Sequence, residues 1–132
     1  MKKICFVMAM LVLLAACSAF GDELSDLVRN AEAGNPQAQL ALGWRYLDGN
    51  GVKQDKKLGF QWVKKAADQG YADAELALGY LYDKGRGTTV NYKKAFELYT
   101  RAAEKGNVTA QNNLGAMYSN GQYVQRNYTK AF

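Results

Sequence analysis

Histidine is absent, and the only two cysteines, Cys5 and Cys17, lie in the first 17 of 132 residues. Most zinc sites, most Ser-His and Cys-His nucleophiles and every disulfide within the rest of the chain are thereby excluded. There is a single proline, Pro36. The one long apolar run, Ile4 to Leu14, falls short of the roughly 20 residues a bilayer-spanning helix needs. Excess charge of one sign is small too. The formal net charge is +5, and removing Lys2 and Lys3 with a leader would leave 15 basic residues against 12 acidic ones. So mild a balance gives no reason to expect nucleic acid as a partner, because phosphate-backbone binding needs many converging Lys and Arg. Apolar residues nevertheless make up 48% of the chain, enough to build a core and too many for a disordered segment.

The first residues read as an export signal: Lys2 and Lys3, then the short apolar run. The run closes with Leu14-Ala15-Ala16-Cys17, which resembles the bacterial lipobox. That resemblance implies lipidation at Cys17, and Ser18 after it implies delivery to the outer membrane, facing the periplasm. The competing reading is an ordinary secretory signal cut after Ala19-Phe20-Gly21, releasing a soluble periplasmic or secreted protein that starts at Asp22.

What fills the rest of the chain is a repeat of 36 residues. Gly34, Gly70 and Gly106 are in step, as are Ala38, Ala74 and Ala110. Leu42-Gly43, Leu78-Gly79 and Leu114-Gly115 follow, then Tyr46, Tyr82 and Tyr118. Phe60, Phe96 and Phe132 share a register, and so do Asp55, Asn91 and Asn127. The expected organisation is a signal and tether over 1–21, a half repeat over 22–34, repeats over 35–70 and 71–106, and a third, truncated repeat over 107–132. The chain is expected to be a fragment or a truncated product, since its last repeat would expose an inner face.

Each repeat predicts two helices. Ala38, Leu42 and Tyr46 recur every four residues and share a helix face. Asn35 before Pro36 is a suitable start, and Gly49-Asn50-Gly51 and Gly85-Arg86-Gly87 are stops that turn the chain. Asp55, Asn91 and Asn127 then cap second helices, whose buried face in the middle repeat is Ala95, Tyr99, Ala102 and Ala103. Gly43, Gly79 and Gly115 sit inside helices at a cost of about 1 kcal/mol each, so a close helix approach is expected there. No stretch alternates with a strand's period. The expected fold class is all-α, an α-α superhelix (solenoid) of stacked helical pairs.

The pattern Ala74, Leu78-Gly79, Tyr82, Gly85, Gly87, Asn91, Lys94-Ala95, Tyr99, Ala102-Ala103 and Gly106 resembles the Sel-one-like repeat family, a relative of the tetratricopeptide repeat. The resemblance covers nearly everything after Leu24 and implies a right-handed solenoid that serves as an interaction scaffold. Two departures stand out. Gly59 replaces the usual alanine and should loosen its helix, and Tyr123 replaces a loop glycine and should redirect the third loop.

The resemblance also implies that first helices line a concave surface. Helical geometry then selects Gln37, Trp44, Leu47, Asp48, Asp73, Tyr80, Asp83 and Lys84 as the partner-binding residues, with Leu40 and Leu76 on the same face as packing residues. The third repeat offers Thr109, Asn112, Ala116, Ser119 and Asn120. Trp44 and Tyr80 lead, because large aromatics with a polar edge make binding hot spots; the alternative is that they cover the seam between repeats. Asp48, Asp83 and Lys84 near helix ends also read as solvated charges. The lysine pairs Lys56-Lys57, Lys64-Lys65 and Lys93-Lys94, interleaved with acids, read as a solvated outer face.

The expected function is therefore a non-catalytic, monomeric protein- or peptide-binding scaffold of the bacterial envelope, with no metal and no cofactor. Two alternatives stand beside it. Some cysteine-rich members of the family carry a penicillin-binding or β-lactamase assignment, although this chain lacks their cysteine pairs and any Ser-x-x-Lys or Lys-Thr-Gly. The other is a purely structural periplasmic spacer.

Overall fold

The computed structural model describes residues 23–122. Cys5, Cys17, Tyr123, Asn127 and Phe132, and the expectations placed on them, lie outside the described residues.

Among the described residues six helices occur in order: α1 over residues 23–32, α2 (Pro36–Asp48), α3 (Lys56–Asp68), α4 (Ala72–Lys84), α5 (Tyr92–Glu104) and α6 (Val108–Asn120). Among the described residues there is no strand. Local chemistry sets these limits, at Asn35, Asp55 and Asn91 as the sequence predicts and at Asn107 as well. Asn35, Asp55, Asn91 and Asn107 each accept a hydrogen bond from the backbone N–H three residues on, satisfying one of the free donors of a helix start. Pro36 occupies the first turn of α2, where it loses no hydrogen bond. The first helices α2, α4 and α6 end on Gly49, Gly85 and Gly121 in the left-handed conformation.

Packing repeats with the sequence. Ala38, Ala74 and Ala110 are all buried, as are Leu42 and Leu78. Ala66 and Ala102 lie at the same depth in α3 and α5. Neighbouring repeats are tied by aromatic pairs. Tyr82 meets Phe60 of the preceding repeat edge to face at 5.3 Å, and Tyr118 meets Phe96 likewise at 5.7 Å. Tyr46 has no phenylalanine 36 residues behind the next one; Leu24 stands there, and both belong to the cluster that seats α1 on α2.

Gly43 and Gly79 have the expected packing role. A Cβ on Gly43 would lie 2.6 Å from Val63 and 3.0 Å from the carbonyl of Gly59. One on Gly79 would lie 2.8 Å from the ring of Tyr99. Gly59 corrects an expectation. Rather than loosening α3, it brings α3 onto α2: its Cβ would meet Gly43 O and Leu47 Cγ at 2.7 Å and Leu47 N at 2.9 Å. In the next repeat Ala95 stands at this position and the bulkier Tyr99 replaces Val63, so that helix pair fills its gap with side chain instead of closing it.

A polar clamp also crosses each repeat. In the first, Gln69 Nε2 donates to Gly34 O at 2.9 Å and to Gln39 Oε1 at 2.8 Å. In the second, 36 residues on, Lys105 Nζ donates to Gly70 O at 2.6 Å and pairs with the buried carboxylate of Glu75. A neutral amide pair has become an ion pair in the same place. Lys105→Ala would leave Glu75 buried without its cation, and is expected to cost about 2 kcal/mol, less than a fully buried pair because Lys105 is half exposed. The double variant Glu75→Gln, Lys105→Gln restores the first repeat's arrangement and should recover most of the loss in urea denaturation.

Candidate functional site

The first helices of successive repeats stand side by side, and their shared face carries a groove of about 440 Å³. Leu40 and Trp44 come from α2, Asp73, Leu76, Ala77 and Tyr80 from α4, and Thr109 and Asn113 from α6. Leu40 and Leu76 also pack against the core, so the floor of the groove is the outer layer of the hydrophobic seam. The rings of Trp44 and Tyr80 lie 6.3 Å apart and tilted by 46°, one from each repeat. Trp44 is half-buried and Tyr80 is exposed.

Arg86, from the loop after α4, closes one side. Its guanidinium donates to Asp48 Oδ1 at 2.7 Å and to Leu47 O at 3.1 Å, and lies 5.9 Å from the centre of the Trp44 ring. The pairing holds the cation against the aromatic face, which is a favourable electrostatic contact. The same loop is fixed by Gly87, whose φ is +77° and whose Cβ would lie 2.4 Å from the carbonyl of Lys56 at the start of α3. No side chain fits there, so the loop rests directly on the preceding repeat.

A second cavity, of about 190 Å³, adjoins the first and shares Tyr80 and Asn113 with it. Asp83 and Tyr99 line it. The Tyr99 hydroxyl donates to Asp83 Oδ2 at 3.3 Å, whereas Asp83 Oδ1 is out of contact with solvent and has no hydrogen-bond partner. Burial, and then the neighbouring Asp83 carboxylate, push the Tyr99 phenol well above its ordinary range. At the other end of the groove Tyr71, which takes the place of a capping residue but makes no side-chain cap, donates to Asp73 Oδ2 at 3.2 Å. Its phenol is also raised, by desolvation first and then by Asp73.

Of the residues chosen from sequence, the structure gathers Trp44, Asp73 and Tyr80 into the groove and Asp83 and Lys84 into the adjoining cavity. Gln37 is exposed at the start of α2, outside the groove lining, and Asp48 sits behind Arg86 as its ion-pair partner. Leu47 is a correction. It is fully buried and cannot face a partner. It lies one turn beyond Gly43, on the side that meets α3, and the close approach at Gly59 covers it. Arg86, Ala77 and Asn113 were not among the residues selected from sequence. Arg86 stands where the first repeat has Asn50 and reads there only as part of a turn, so the period carries no signal for it.

The Sel1 repeat family model matches residues 36–71, 72–107 and 108–132. The chain belongs to the Sel1 repeat family. Solved structures share its fold. One is c5321, a protective antigen present in uropathogenic Escherichia coli strains and displaying an SLR fold: 41% identity, TM-score 0.80, covering 82% of this chain and 23% of that one. A Sel1 repeat protein from Oxalobacter formigenes is 37% identical with a TM-score of 0.76, covering 80% of this chain and 43% of that one. Helicobacter pylori cysteine rich protein B is 30% identical with a TM-score of 0.61, covering 64% of this chain and 63% of that one. The chain thus spans less than half the length of the first two. No curated protein matches it. Sel1 repeat proteins are generally non-catalytic protein–protein interaction scaffolds.

Proposed function

We propose that this Sel1 repeat chain is a non-catalytic binding module that holds an extended segment of a partner protein in the groove of α2, α4 and α6. The observation that carries the reading is the Trp44–Tyr80 pair. Two large aromatics from adjacent repeats border an apolar floor of Leu40 and Leu76, with Arg86 fixed beside them. Such a surface favours an apolar side chain of a partner, worth roughly 1.5–3 kcal/mol when fully buried. Tyr, Trp and Arg are also the residue types most enriched where binding energy concentrates. The second helices supply the opposite face, with Lys57, Lys64 and Lys93 exposed.

The proposed place of action is the bacterial envelope, with the chain exported and anchored by a lipid at Cys17. This rests on Lys2-Lys3, the short apolar run and Leu14-Ala15-Ala16-Cys17. Fatty-acid labelling that survives Cys17→Ala would remove the anchor from the proposal.

The binding reading is tested by a photo-crosslinking amino acid placed in cells at Trp44 or Tyr80, and in parallel at Lys57 or Lys93. The groove positions are expected to capture a common partner and the outer positions not to. Capture from the outer positions alone would overturn the assignment of the face.

A further inference from the structure

The cavity beside the groove is polar for a reason the fold does not supply. One repeat earlier, 36 residues back, Asp83, Tyr99 and Asn113 correspond to Leu47, Val63 and Ala77. Those three are buried, and they fill the equivalent seam with hydrocarbon. Stacking therefore works with an apolar set at this place. In the second repeat the same place instead holds a carboxylate, a phenol and a carboxamide around about 190 Å³.

The carboxylate is only half satisfied. Asp83 Oδ2 accepts from Tyr99, and Oδ1 has no partner and no contact with solvent. A carboxylate oxygen in that state carries a desolvation cost that a cation with N–H donors would offset. The bond between Cβ and Cγ of aspartate is a broad rotor, and Asp83 is one of the residues that line the cavity. Nearby positive charge is otherwise engaged or peripheral. Arg86 is held by Asp48 and Leu47, and Lys84 lies exposed along the cavity wall. Because Tyr80 belongs to both cavities, a chain seated on the Trp44–Tyr80 pair passes the Asp83 cavity within a few residues.

We infer that the cavity at Asp83 takes a basic side chain, lysine or arginine, of the same partner segment whose apolar residue occupies the adjoining groove. The inference rests on the proposed groove-binding reading and adds the chemistry of the partner to it. The partner motif is an apolar anchor with a cation close by. The carboxylate of Asp83 receives the cation, Tyr99 holds the carboxylate, and the amide of Asn113 lies at the shared wall.

The experiment uses the full chain carrying Trp62→Phe, so that Trp44 is the only tryptophan and its emission reports on the groove. The probe is a positional-scanning library of octapeptides, acetylated and amidated at the ends, with one position fixed as phenylalanine. Selection is expected to favour Lys or Arg over Glu about ten-fold at one position within three residues of the phenylalanine. Asp83→Asn and Asp83→Leu, the latter copying Leu47, are expected to bring that preference to parity while Trp44 emission still responds. Equal selection of Lys and Glu by the unsubstituted chain would mean that Lys84 or water already satisfies the carboxylate, and would overturn the inference. So would a basic preference that survives both substitutions. If no peptide is selected and Trp44 emission never changes, the groove reading itself fails and takes this one with it.

Discussion

Truncating Tyr99 to alanine is expected to lower the free energy of unfolding by about 3–5 kcal/mol, the range for removing a large ring from a packed core. Tyr99 is fully buried, and its ring occupies the space beside Gly79 that joins α4 to α5. Alanine there leaves a cavity and removes the hydroxyl that donates to Asp83. Tyr99→Phe separates the two effects. It keeps the ring and loses the donor, so it should cost about 1–2 kcal/mol. Alkali offers a second readout. The phenol is raised in the folded state, so its contribution is complete below the unfolded value of about 10 and is lost as pH rises above it. Urea denaturation followed by circular dichroism at neutral and alkaline pH checks both, and Tyr99→Phe should flatten the alkaline decline. In a stack where each repeat touches only its neighbours, the alanine variant should also broaden the transition by uncoupling the two halves.

Gly59→Val is the second large effect, at about 3 kcal/mol or more. By helix propensity alone, replacing glycine stabilises a helix by up to about 1 kcal/mol. Here the sign reverses. The first atom added at Gly59 would lie 2.7 Å from the carbonyl of Gly43 and 2.9 Å from the amide of Leu47, and backbone cannot swing aside as a side-chain tip does. Helices α2 and α3 must separate, which opens the packing around Leu47 and Val63, both fully buried. Gly59→Ala should show the same sign at about 1–2 kcal/mol, even though alanine is the residue found 36 positions on, at Ala95. A thermal melt of Gly59→Ala at or above the temperature of the unsubstituted chain would show that the helices do not cross as closely as described.

The fold was legible because it is what the repeats have in common. Asn35, Asp55 and Asn91 cap because a short polar side chain at a helix start has one favourable use, and the in-phase glycines imply contact because nothing else offsets their cost. The groove was legible only in part, because it is built from what the repeats do not share. Trp44, Tyr80 and Ala116 occupy one register, and so do Asn50, Arg86 and Gln122. Periodicity places Trp44 and Tyr80 on a helix face and Arg86 in a turn but is silent on what each does there. Leu47 and Asp83 also share a register, yet one is sealed by a close helix crossing and the other opens on a cavity. That difference follows from Gly59 against Ala95 and Val63 against Tyr99, on a helix that the pattern of α2 and α4 does not describe. Gly59 illustrates the same limit: a departure from the family looks like a weakness until the residue it faces is known.

Hydrogen–deuterium exchange of the chain, alone and with the partner captured at Tyr80, decides whether the face of α2, α4 and α6 is the one that binds. Exchange is expected to slow in α2, α4 and α6, with α3 and α5 unchanged on their outer faces. Slowing confined to α3 and α5 would contradict that assignment.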